Sequence, residues 1–348
     1  MNNETHFWIH LVKLVAIVMV VLLHVAAPYH YQLNTIGPSN WAVVNLYEAI
    51  VRPCVPLFFM ASGFLLLNLD EPATKFFFKR FSRIAIPLAF WTVIYVLWKI
   101  YYQSQRYVDF GGVLQMFFFP VSYHLWFMYA LIGCYLFLPM MRKISIGSDL
   151  SLLIFYCGVW FCAVSVLPLL QKYYSLRSQL DLSVATGYMG YFVLGYLLGK
   201  RSYNIIHAFS SVVVIVLSTF MTSYFTSLLT LENRGVLVAD FTSNFSPTVI
   251  FGSAGWFVFI KYVSGGFSLV NINWFKLFVI SISNASFGIY LVHVIFVDLV
   301  ADFFCCYVDG GFLELVWRFP IISLIVFFLS YIFVSLLARF KFGRIIGF

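Results

Sequence analysis

The run WIHLVKLVAIVMVVLLHVAAPYH, Trp8 to His30, is apolar enough to cross a membrane, yet it carries Lys13 and His24 with ten residues between them. An ionisable side chain at the centre of a bilayer costs about 3 kcal/mol on insertion scales, so such a group is a functional candidate by default. Eleven steps at about 100° make roughly three turns plus 20°, so both side chains leave one helix face, about 16 Å apart along it. Lys13 falls near the inner boundary and His24 deeper, toward the outer side. One face therefore offers a cation to the inner half of the membrane and a titratable base to the outer half. Plainer readings are a lysine snorkelling to the interface and a histidine hydrogen-bonded between helices.

Other polar groups interrupt apolar stretches at suggestive spacings. In FFFKRFSRIAIP, Phe76 to Pro87, Arg80 and Arg83 stand three apart at a helix start and can converge on one face. Guanidinium groups favour bidentate phosphate contacts, so the pair suits an anionic, phosphate-bearing cofactor at the inner surface; positive-inside anchoring explains the same residues. In PLFFMASGFLLL, Ser62 and Gly63 allow close approach of another helix or of an acyl group. Arg52, just before Pro53, needs an acidic partner or a glycan, and Glu48 is the nearest acid. His124 and Trp126 open SYHLWFMYALIGCYLFLP at its outer end, where an aromatic belt explains the Trp and solvation suffices for the His. In SNASFGIYLVHVIF, Asn284 and His293 are nine apart, so they occupy different faces and cannot both line one narrow seam. His10, His30 and His207 fall near span ends or in loops, where interfacial solvation accounts for them. There is no HExxH, GxSxG, Walker loop or zinc-ligand cluster, and no metal is expected. Cys54, Cys134, Cys157, Cys162, Cys305 and Cys306 show no CxxC spacing and read as buried thiols.

The elements that must hold these groups follow from composition. Charged residues are 10% of the chain and hydrophobic ones 62%, with a mean hydropathy of +0.94; a soluble domain carries about 25% charged residues. Apolar runs long enough to span recur from end to end, and they do not alternate as barrel strands do. The chain is therefore all-α, a single polytopic membrane domain over residues 1–348 with about ten spans: roughly 7–29, 42–67, 84–103, 123–141, 150–168, 185–201, 208–229, 245–264, 277–298 and 318–338. The first is a retained helix, since it is longer than a signal-peptide core and holds a lysine. With both termini cytoplasmic, most of the 21 Lys and Arg fall inside and most of the 13 Asp and Glu outside. The net charge of +8 thus needs no nucleic acid as partner. The longest connection, about 104–122, holds FGGVLQMFFFP, which suits a short interfacial or re-entrant helix. Composition and spacing stop there, with an enzyme and a transporter both open.

Taken in order, Lys13 and His24 with ten residues between, VPLFFMASGFLL, RFSR, YHLWF and SFGIYLVH resemble the acyltransferase-3 family of integral-membrane acyltransferases. The nearest likeness is the branch containing the enterobacterial common antigen O-acetyltransferase. The resemblance implies a multi-pass protein of the bacterial inner membrane, surrounded by membrane lipids. It would move acetyl from acetyl-CoA, on the cytoplasmic side, to a hydroxyl of a cell-envelope glycan or its lipid-linked precursor. It makes His24 the leading catalytic residue and puts Lys13, Arg80 and Arg83 on the acyl-donor side. Arg52, Ser62, His124, Trp126, Asn284 and His293 remain candidates for acceptor binding or support. Members commonly carry an acidic residue three positions before the first-helix basic residue, and here that position is His10. The implied chemistry is physically coherent. A sugar hydroxyl is a poor nucleophile, so a base poised near neutrality must take its proton, and histidine is that base. A bilayer excludes the water that would compete as acceptor. The rival reading, a transporter or flippase for a lipid-linked glycan or small solute, calls for inverted repeats and paired broken helices, and the sequence shows neither.

Overall fold

The computed structural model describes residues 6–103, 119–146, 150–176, 182, 187–266, 272–303 and 311–348, and all regular structure among them is helical. The first helix, α1 (Phe7–His30), is apolar around its circumference, as suits a helix enclosed by others. Five helices pack on it: α2 (Leu33–Val51), α3 (Cys54–Leu67), α10 (Pro247–Gly266), α11 (Asn273–Phe303) and α12 (Phe312–Leu337). Lys13 and His24 thus ride on the helix at the middle of the bundle.

The expected span 42–67 is two helices. Pro53 has no N–H to donate, so the ladder is interrupted at Arg52–Pro53 and the chain turns into α3. The first part also begins earlier, at Leu33, with a break at Gly37, whose φ of +79° suits glycine. The fourth helix, α4 (Ala73–Tyr101), likewise starts well before residue 84, which places RFSR inside the helix rather than at its start. A 3₁₀ turn, Tyr123–Leu125, leads into α5 (Trp126–Ile146). α6 (Leu150–Phe161) runs through a π-helical turn at Cys162–Val166 into α7 (Leu167–Tyr173). Cys54 and Cys134 are buried thiols as expected, Cys157 is half-buried and Cys162 is exposed, while Cys305 and Cys306 lie outside the described residues.

Next come α8 (Met189–Lys200) and α9 (Ile205–Glu232), and a five-residue α13 (Lys341–Ile345) follows α12. Asn204 caps α9 by accepting from the backbone of Ile206 and His207, so His207 is a capping residue and not merely a solvated one. Among the described residues nine helical stretches are long and apolar enough to cross a membrane, α2 and α3 together forming one of them, Leu33–Leu67. The difference from ten lies at 185–201, where α8 has 12 residues. FGGVLQMFFFP falls almost wholly outside the described residues.

Short as it is, α8 is clamped to α3 by glycines. A Cβ on Gly63 would overlap the Phe192 backbone, and one on Gly195 the Met60 backbone, so the two helices touch main chain to main chain. Gly63→Val is expected to cost about 1–3 kcal/mol or more through overpacking. Thermal unfolding of purified protein in detergent should show a lowered midpoint. Gly133→Ala, where a Cβ meets nothing within 4 Å, should leave it unchanged.

Candidate active site

Three histidines distant in sequence meet in the core. His24, near the C-terminal end of α1, has its Nδ1 2.8 Å from Nε2 of His293 on α11. Nδ1 of His293 lies 2.7 Å from the carbonyl oxygen of Tyr290, one turn back. His124, in the turn before α5, packs beside them, its ring 5.3 Å from that of His293 and 6.4 Å from that of His24. The Tyr290 hydroxyl donates to the His124 carbonyl, and Nδ1 of His124 is 2.9 Å from the Ser122 hydroxyl. All three rings are buried, and Nε2 of His124 has no hydrogen-bond partner. Interfacial solvation therefore does not account for His124: the 3₁₀ turn folds it inward, against Tyr95 at 4.8 Å. No group of His, Cys, Asp or Glu among the described residues has an arrangement that holds a metal ion.

The cluster borders a cavity of about 90 Å³ lined by His24, Arg52, His124, Trp126, Asn244 and Tyr290. Four wall residues (Val20, Val55, Phe127 and Tyr290) also belong to a second cavity, of about 180 Å³, that continues along α1 to Lys13, Ser62 and Tyr135. Those last three are in turn walls of a third, of about 390 Å³, which ends at Glu71, Lys79 and Arg80. Adjacent cavities share walls, so three neighbouring cavities line up along the α1 face between a cationic end and the histidines. The eleven-step spacing of Lys13 and His24 becomes a separation of about 16 Å along this path.

The mouth has cationic capacity to spare. Lys13 makes no hydrogen bond or ion pair among the described residues, and Nε of Arg80 is buried without a partner. Arg142 is buried over the Phe76 ring, with Nε 2.8 Å from the Leu66 carbonyl and Nη2 3.5 Å from Glu71, while its Nη1 is unpartnered. Arg83 does not join them. Phe76, Ile84, Pro87 and Trp91 form the buried stripe of α4; Arg80 lies on it and Arg83 is turned out and exposed. Of the two arginines expected to converge, Arg80 lines the third cavity, while Arg83, about 60° round the helix, is exposed and is not among its walls.

Ser62 lines both lower cavities, while Trp126 and Arg52 line the upper one. Asn284 is exposed on α11, on a different face from His293, as nine steps require. Arg52 pairs with the buried Glu48, the acid expected. His10 is tied by Nδ1 to the Ser283 hydroxyl at 2.9 Å, which pins α1 to α11 one turn before Lys13. His30 is not an interfacial residue: it is buried, stacks on Trp41 and bonds Asn45 at 3.1 Å through Nε2. The reason is that α2 folds back over the end of α1, and Asn45 reaches on to Ser223 and Ser227 of α9, each at 2.8 Å. Removing one partner of a buried ion pair costs about 3–5 kcal/mol. Glu48→Ala should therefore lower the thermal midpoint in detergent markedly, while Lys172→Ala, which breaks an exposed pair with Asp240, should cost about 0–1 kcal/mol.

Sequence reasoning passed over Tyr290, Tyr135, Lys79 and Asn244 as site residues. Tyr290 was within reach, since it stands three before His293 and one helix turn puts both on a side. Asn244 sits in the connection between α9 and α10, where no periodicity marks a residue.

The acyltransferase-domain profile of the acyltransferase-3 family matches residues 6–338 of this chain. No curated protein sequence and no solved structure matches it. The matched region takes in both ends of the cavity path, from Lys13 and Arg80 to His24 and His293. With membrane-crossing helices throughout, the chain belongs to the acyltransferase-3 family and is a multi-pass membrane acyltransferase.

Proposed function

We propose that this protein is an O-acetyltransferase of the bacterial inner membrane. In this reading it moves acetyl from acetyl-CoA to a hydroxyl of a cell-envelope polysaccharide or its lipid-linked precursor, in the manner of the branch that modifies enterobacterial common antigen. The observation that carries the reading is the string of cavities between unpartnered cations and a buried histidine. The phosphates of CoA cannot enter hydrocarbon and need fixed cations, which Arg80 and Lys13 supply at one end. A thin pantetheine arm suits the narrow middle section, past Ser62 and Tyr135, and delivers its thioester to His24. Trp126, Asn244 and Arg52, around the other side of the histidine, offer an aromatic face and polar groups to a sugar.

The residues then have distinct tasks. His24 takes the proton of the acceptor hydroxyl as its oxygen bonds to the acyl carbon. When the carbon–sulfur bond breaks, the same proton passes to the departing sulfur, so His24 ends neutral as it began. In this reading His124, whose Nε2 has no partner, and Arg52, both walls of the upper cavity, stabilise the carbonyl oxygen as it gains negative charge. The greasy walls exclude water, the competing acceptor.

Membranes containing the protein, incubated with radiolabelled acetyl-CoA, should place label covalently on envelope polysaccharide, and deletion of the gene should remove the corresponding O-acetyl signals. Label that crosses the membrane without becoming covalent would overturn the reading in favour of a carrier.

A further inference from the structure

We propose that His293 is a positioning residue that fixes the tautomer of His24 and leaves its Nε2 as the proton-accepting nitrogen. The inference rests on the reading of His24 as the base and adds to it which nitrogen acts, and why.

The assignment follows from what each atom can do. A backbone carbonyl only accepts, so the 2.7 Å contact between His293 Nδ1 and the Tyr290 oxygen requires the hydrogen on Nδ1. In a neutral imidazole the other nitrogen then carries a lone pair, so Nε2 of His293 is an acceptor. Its contact at 2.8 Å is Nδ1 of His24, which must therefore be the donor. With Nδ1 of His24 carrying hydrogen, its lone pair is at Nε2. His24 lines the cavity shared with Arg52, Trp126 and Asn244, so Nε2 is the nitrogen left to meet a hydroxyl there. The reverse direction would set a lone pair of His293 Nδ1 against the Tyr290 oxygen. The Tyr290 carbonyl on α11 thus orients both imidazoles, with the Val20 carbonyl on α1 as a further acceptor beside His24, much as a carboxylate does in a hydrolase triad but without adding a charge to an apolar core.

His293 touches no reacting atom. When Nε2 of His24 gains the hydroxyl proton, the resulting imidazolium keeps its Nδ1–H directed at the His293 lone pair, which stabilises the charge and prevents ring rotation. The O–H bond broken is that of the acceptor hydroxyl and the N–H bond formed is at Nε2 of His24, from which the proton leaves again to sulfur.

Three variants and one spectroscopic measurement test this. His293→Leu removes the acceptor and is expected to lower the maximal rate of acetyl transfer from acetyl-CoA to endogenous glycan in membranes by about 10²–10³-fold, with KM for acetyl-CoA within about threefold. His293→Gln, whose side-chain oxygen can accept the same hydrogen bond, is expected to stay within about tenfold of the unchanged protein. ¹⁵N-histidine spectra of the intact protein in lipid, assigned by difference from His24→Ala, should show His24 as the Nδ1–H tautomer, with that signature lost in His293→Leu. Wild-type rates in His293→Leu, or an Nε2–H tautomer of His24 in the unchanged protein, would overturn the positioning role and leave the base assignment standing. Full activity in His24→Ala would instead remove the base reading itself. Should His293→Leu fail to fold, the tautomer in the unchanged protein and the rate of His293→Gln still decide.

Discussion

His24→Ala should reduce acetyl transfer by about 10²–10⁴-fold, the range a positioned general base contributes. The loss should appear in the maximal rate, because His24 lies at the far end of the cavity path from the cations and contributes little to holding the donor. The variant should still reach the membrane and elute as a folded species in detergent, since α1 is anchored along its length by five other helices. The measurement is label from acetyl-CoA on envelope glycan per folded molecule. His30 supplies the contrast. It is as buried as His24 but bonded to Asn45 and stacked on Trp41, outside the walls of the three cavities. His30→Ala should cost stability and leave the rate per folded molecule within a few-fold of normal. If His24→Ala transfers acetyl normally while His30→Ala does not, the catalytic assignment is misplaced.

Arg80→Ala should raise KM for acetyl-CoA by about 10–100-fold, with a much smaller change in the maximal rate. A hydrogen bond to a charged group contributes about 1.5–3 kcal/mol, and every 1.4 kcal/mol is tenfold in affinity. The buried, unpartnered Nε of Arg80 is the atom that makes this effect large. The neighbouring Arg83→Ala is the control. Its side chain is exposed and outside the cavity walls, so KM should change by less than about twofold. Steady-state kinetics over a range of acetyl-CoA concentrations separates the two. Equal effects of both substitutions would point to diffuse surface attraction rather than a shaped phosphate site.

Residue spacing in the chain was enough for anything that depends on a single helix. The hydropathy run of α1 and the eleven steps between Lys13 and His24 gave one face with a cation and a base, because helix geometry is local. The same rule separated Asn284 from His293. The partnership of Arg52 with Glu48 was legible too, being one turn of one helix. Local rules failed where the outcome depended on a neighbour. Arg80 and Arg83 looked equivalent until the packing of α4 half-buried one at the cavity and left the other exposed. His30 and His124 read as interfacial because each lies near an end of its span; a folded-back α2 and an inward 3₁₀ turn put both in the core.

The sequence by itself determined that this is an all-helical membrane protein and that one face of its first helix is chemically equipped. Only the tertiary structure decided that His24, His124 and His293, which come from three segments, pack together, that the first two line one cavity, and that neighbouring cavities lead from there toward Arg80. The reason is physical. Helical periodicity places residues on a face at no cost in long-range information, whereas which faces meet is set by close packing between elements far apart in the chain, such as the Gly63–Gly195 crossing.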